Sequence, residues 1–203
     1  MLREFPQSWK TIQRSWAYLN KPEDRFKWVS SLHIFAKGIQ VDIAKKTYYR
    51  FEEELTTPEN IMAAGWNYLV EVLDSEGYVK YDFSTASNLL IIIKELKKKY
   101  GSLDALHKKS SSSIDLERRI QEFKGIDPIG VNIFLRELRG VWTKADSNPS
   151  RMALIVAERI KLKEVKQYES ALVRISLEYC KKNKYERCPV KNYCKKRTCN
   201  IIH

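Results

Sequence analysis

The chain has 203 residues, 43% of them hydrophobic and 11% aromatic, which is enough apolar material for a core and excludes global disorder. Only 7 Gly and 6 Pro argue against a turn-rich all-β sandwich, and the longest clean apolar run, Leu89 to Ile93, is far too short to span a bilayer. Thirty-seven Lys and Arg against 25 Asp and Glu leave a net charge of +12, which points to a polyanionic partner, with nucleic acid favoured over a membrane surface.

In chain order the pattern is helical. The opening MLREFPQSWK lacks an apolar signal region, so a cytoplasmic location is expected, nucleoid-associated in a prokaryote. Ala44, Tyr48, Phe51 and Leu55 make a helical stripe. Thr57-Pro58-Glu59 starts the next helix with a Thr cap and Pro at its first position, and Gly65 is expected to stop it. Residues 84–99 begin with Ser and Thr and end in three lysines before Gly101, matching the charges that helix ends prefer. Four serines at 110–113 read as a loop. Leu116, Ile120 and Phe123 form one short face, and Val131, Phe134, Leu135 and Leu138 another. Asn148-Pro149 is expected to open a helix carrying Met152, Ile155, Val156 and Ile160. Tyr168, Leu172, Ile175 and Tyr179 form the last stripe. No segment alternates with period two, so the expected class is all-α.

The four cysteines, Cys180, Cys188, Cys194 and Cys199, all lie in the tail. Without an export signal, clustered thiols suggest a metal or iron–sulfur site rather than disulfides. Eight Lys and Arg and one Glu lie between the first and last cysteine, so this loop is a candidate for phosphate contact, Lys195, Lys196 and Arg197 above all.

Residues 114–149 carry the most information. Two helical faces flank FKGIDPIG, in which Gly125 and Gly130 bound a hairpin. Glycine permits a sharp turn and close backbone approach, and the amides opening the second helix attract phosphate without reading bases. Lys124, Gly125, Ile126 and Gly130 are therefore candidate DNA contacts. Beyond the second helix, the loop GVWTKADSNP contains Asp146.

This segment resembles the helix-hairpin-helix DNA glycosylases of the endonuclease III superfamily, the HhH-GPD type. FKGIDPIG stands at the family's hairpin, VNIFLRELRG at the helix after it, and Asp146 at the essential Asp. Cys188-Pro189 to Cys194 resembles the last part of the family's cysteine loop. The resemblance implies a two-part helical fold, with 1–24 and 141–203 forming a terminal part and 25–140 a helical barrel. It implies a 4Fe–4S cluster on the four cysteines, with structural zinc as the alternative that Cys₄ ligation leaves open. It also implies a monomer acting on double-stranded DNA with a damaged or mismatched base.

For the chemistry, a carboxylate facing C1′ stabilises the oxocarbenium-like sugar and orients water, and Asp146 is the candidate. Trp28, His33, Phe35 and Trp142 are candidate walls for a flipped base. Lys37, Gln40 and Tyr81 lie on two loops that resemble the family's DNA-probing positions. The sequence also departs from the pattern. The hairpin position that carries the attacking lysine in bifunctional members is Ile129, so a monofunctional glycosylase is expected; Lys144 is the nearest other amine on the approach to Asp146. The second hairpin Gly is replaced by Asp127, and the cysteine gaps of seven, five and four residues differ from the family's usual spacing. The alternative to excision is a DNA-binding protein that keeps the fold without the chemistry.

Overall fold

A computed structural model describes residues 41–195, together with Leu19, Lys21, Pro22, 25–27, Ser30 and Ile34. The described residues form helices and turns and contain no strand, so the fold is all-α. Contacts divide the chain into two compact units, a first of residues 16–145 and a second of residues 1–15 with 146–203.

The first unit is built from six helices between Val41 and Leu138. Helix α1 (Val41–Glu54) buries Phe51, and Leu55 follows it into the core. Helix α2 (Pro58–Ser75) begins as its sequence dictates: Thr57 Oγ1 accepts from the Asn60 amide at 3.1 Å, with Pro58 at the first position. Gly65 ends the first stretch as expected: it adopts φ 74° and ψ 175°, a kink across which a second helical stretch follows and buries Leu69, Val72 and Leu73. Gly77, at φ 83°, then turns the chain so that Tyr78 is fully buried, where its hydroxyl accepts from Thr85.

Helix α3 (Asp82–Lys99) packs on α2 through Ala86, Leu89, Ile92, Ile93 and Leu96. Gly101, at φ 84°, ends that run. Helix α4 (Leu103–Lys109) follows, capped by Ser102, whose Oγ accepts from Ala105 N at 3.1 Å. No stripe announces this helix, since one buried pair, Leu103 and Leu106, is too short to show a period. The serine run is mostly cap: Ser112 accepts from the Asp115 amide and opens α5 (Ser113–Gln121). Helix α6 (Pro128–Leu138) buries Val131, Phe134, Leu135 and Leu138, the expected face.

The second unit is small. Helix α7 (Arg151–Ile160) is capped by Ser150, so it opens just after Asn148-Pro149 rather than on that pair. It ends at Lys161 in the left-handed region (φ 55°), where Leu162 N reaches back to Ala157 O at 2.9 Å. Helix α8 (Val165–Ile175) packs on α7, and the buried carboxylate of Glu169 ties the pair by accepting from Ser150 N at 2.7 Å. A single π turn, Ser176–Cys180, extends α8, and two 3₁₀ turns follow at Tyr185–Arg187 and Lys191–Tyr193.

Candidate functional site

The hairpin forms where the sequence placed it. Phe123 N donates to Ile120 O and Ile126 N to Phe123 O, both at 3.2 Å, and Gly125 takes φ 83° between them. Buried Phe123 and Ile126 root the turn in the core, so Ile126 is an anchor while Lys124 and Gly125 are exposed. Asp127 supplies the cap of α6: its Oδ1 accepts from Gly130 N at 2.6 Å, with Pro128 following. A side chain at Gly130 would bring its Cβ to 3.3 Å from that carboxylate oxygen. The sequence marked Asp127 only as a departure. In the structure its carboxylate holds one of the amides that would otherwise face a phosphate. Ile129, at the position of the family's attacking lysine, is 67% exposed.

The loop after α6 is tightly held as far as Ala145. Trp142 is buried, its ring stacked on His107 at 4.8 Å and 3°, its edge toward Phe134, and its Nε1 donating to Asp104 Oδ1 at 3.1 Å. Asp104 in turn pairs with buried Arg25 at 2.6 Å. Trp142 is thus a core residue that fixes the loop. Lys144 is also committed elsewhere: its Nζ donates to His107 O at 3.0 Å and Lys108 O at 3.3 Å, and its amide meets His107 Nε2 at 3.4 Å. Burial, then the Lys144 charge, lowers the His107 pKa, keeping its ring neutral.

Asp146 is exposed, and its Oδ1 stands 2.7 Å from Lys166 Nζ on the first turn of α8. The sequence did not bring these residues together, because twenty positions separate them and neither belongs to a stripe or motif of the other.

The cysteine loop is wound by short-range bonds. Lys181 N donates to Ser176 O, Lys184 N to Tyr179 O, Cys188 N to Tyr185 O and Cys194 N to Lys191 O. Tyr185 donates its hydroxyl hydrogen to Lys191 O, Lys191 Nζ holds Glu186, and Lys195 N reaches Arg159 O at 3.0 Å. Cys180 and Cys188 are buried in one apolar cluster with Val156, Leu172 and Val190, and Cys194 is half-buried. Among the described residues, no three His, Cys, Asp or Glu side chains gather at the spacing of a single ion's ligands. Ser176, fully buried on the π turn, has an Oγ with no hydrogen-bond partner among the described residues.

Other expected contacts are dispersed or lie elsewhere. Tyr81 is half-buried, with Lys80 Nζ 5.2 Å from its ring, and Lys195 is exposed. Trp28, His33, Phe35, Lys37, Gln40, Lys196, Arg197 and Cys199 lie outside the described residues. No family model and no curated protein matches this chain.

Proposed function

We propose that the protein is a monofunctional DNA glycosylase that hydrolyses the N-glycosidic bond of a modified or mismatched base in duplex DNA. The observation that carries this reading is the Gly125 turn between α5 and α6, followed by a pinned loop that ends on an exposed carboxylate, Asp146. Loss of the base leaves positive charge on the sugar. Asp146 offsets that charge and aligns the attacking water, while Lys166, 2.7 Å away, orients the carboxylate. The basic balance of +12 suits the substrate, and no described helix is long and apolar enough to cross a membrane.

The cysteines complete the proposal as a structural site. Two buried thiols and a half-buried third, with the orphaned Ser176 hydroxyl on the turn that ends at Cys180, are a donor set suited to a thiolate-bound group. A tetrahedral zinc ion draws its thiolates within about 2.3 Å of itself. A 4Fe–4S cluster takes each on a different iron and so does not need them gathered around one ion. Cys180, Cys188 and Cys194 would hold it, with Cys199 as the fourth ligand, and it supplies scaffolding rather than reaction chemistry.

The second reading, DNA binding without excision, is favoured by the exposure of the Asp146–Lys166 pair, since such surface pairs are common without function. A panel of duplexes, each with one modified base, tests both. Excision of at least one base, with strands broken only after hot alkali, is the expected result. Asp146→Asn should lower that rate by at least about a hundredfold while DNA affinity holds. No excision across the panel sinks the enzyme reading. A borohydride-trapped adduct lost in Lys166→Gln would replace water by Lys166 as the nucleophile and end the monofunctional assignment.

A further inference from the structure

The C-terminal ends of α3 and α4 meet the hairpin around one ring, Tyr100. Lys109 Nζ stands 5.7 Å from the ring centroid and donates to Lys99 O at 3.3 Å. The Arg119 guanidinium stands 5.8 Å from the same centroid and donates to the Tyr100 hydroxyl at 3.3 Å. The ring meets Phe123 edge-on at 6.4 Å, directly before Lys124 and Gly125. Lys98 and Lys108 are exposed alongside.

Acids answer only part of this charge. Asp115 takes both Arg118 and Arg119, and these bonds with the Ser111 amide hold its carboxyl well below the usual carboxylate range. Glu122 takes Lys99 at 3.7 Å and Arg118 at 3.4 Å. Lys97 turns away to Glu59. Among the described residues no acid forms an ion pair with Lys98, Lys108 or Lys109. The hairpin itself is less suited to an anion, because the Asp127 carboxylate already occupies the Gly130 amide.

We propose that this Tyr100-centred group of lysines, rather than the hairpin amides alone, is the main grip of the first unit on the DNA phosphate backbone. The inference rests on the DNA reading above and moves its contact from the hairpin turn to the helix ends beside it. Lysines here contact phosphate as point charges, without reading bases, and each contact releases condensed counterions. The carbonyl and ring contacts of Lys109 reduce the freedom it must lose on binding.

The test is fluorescence anisotropy of the full chain with an undamaged duplex over a range of salt. Lys98→Gln/Lys108→Gln/Lys109→Gln should bind about tenfold more weakly and flatten the log–log salt slope by roughly two to three. Lys46→Gln/Lys94→Gln/Lys163→Gln removes the same charge from exposed positions elsewhere and should leave the slope near the parent value. Thermal melts check that both variants fold. An unchanged slope in the first variant, or an equal loss in the second, overturns the assignment of the patch. A parent protein that does not bind duplex at all overturns the DNA reading with it, as does patch-dependent binding to phosphatidylserine vesicles in its place.

Discussion

The two units reach stability by different means. The first fills its interior with bulky side chains, including Phe26, Phe51, Phe123, Phe134 and Trp142, and caps helix after helix with Ser, Thr or Asp. The second packs two short helices through Ala153, Val156, Ala157, Leu172 and Val173, then relies on a wound loop with two buried thiols. Small cores are often supplemented by disulfides or metals. Under the proposed reading, the cysteines supply stability that the described apolar contacts of the second unit do not, while the first unit needs no such site.

The largest expected effect is on the weaker side. Cys188→Ser should raise amide exchange across α7 and α8 at least about a hundredfold and leave α3 protected. Equal protection of both units in that variant would mean that the second unit stands on its apolar contacts, and the contrast fails. Phe134→Ala sharpens the comparison from the other side. Removing this fully buried ring should cost about 3–5 kcal/mol by chemical denaturation of the first unit, with its caps intact. A loss under about 1 kcal/mol would show a core loose enough to refill the space.

The smallest effect is a pH dependence confined to the first unit. The His107 pKa lies below its ordinary 6.5, chiefly through burial and then through Lys144, with Arg25 and Lys108 adding to the lowering and Asp104 opposing it. Its contribution is fully present above about 6.5 and is lost as pH falls through the lowered value. Asp115 acts in the same direction at more acidic pH, below its ordinary 3.8. Melts of the parent at about pH 7.5 and 5.5 should differ more than those of His107→Phe, which keeps an aromatic ring on Trp142 without its titration. Identical pH dependence in both would remove His107 from the account.

Much of the helical layout was legible because it rests on local chemistry. Thr57-Pro58 caps α2, the lysines at 97–99 close α3, and the glycine of FKGIDPIG turns the chain. What escaped detection depended on distant partners. The second helical stretch beyond Gly65 had no local start signal, because what sustains it is the burial of Leu69 and Leu73. Nothing near Trp142 in sequence announces Asp104 as the acceptor for its indole N–H. Asp146 was marked by its neighbours in the sequence, but the amine beside it comes from the next helix but one along the chain's own numbering, and no periodicity connects them. Asp127 stands out in the sequence as a departure, whereas its capping of the Gly130 amide shows only in the structure.

The π turn at Ser176–Cys180 carries a consequence for how the tail tolerates editing. Lys181 N bonds to Ser176 O, five residues back, so this turn holds one residue more than an α turn would. An α-helix advances about 100° per residue. Deleting Leu177, whose side chain is exposed, would return the turn to α register and swing every later residue by about that angle. Cys180 would leave the apolar cluster it shares with Cys188, although no cysteine had been substituted. The length of this one turn, independent of its composition, sets whether Cys180 stays in that cluster.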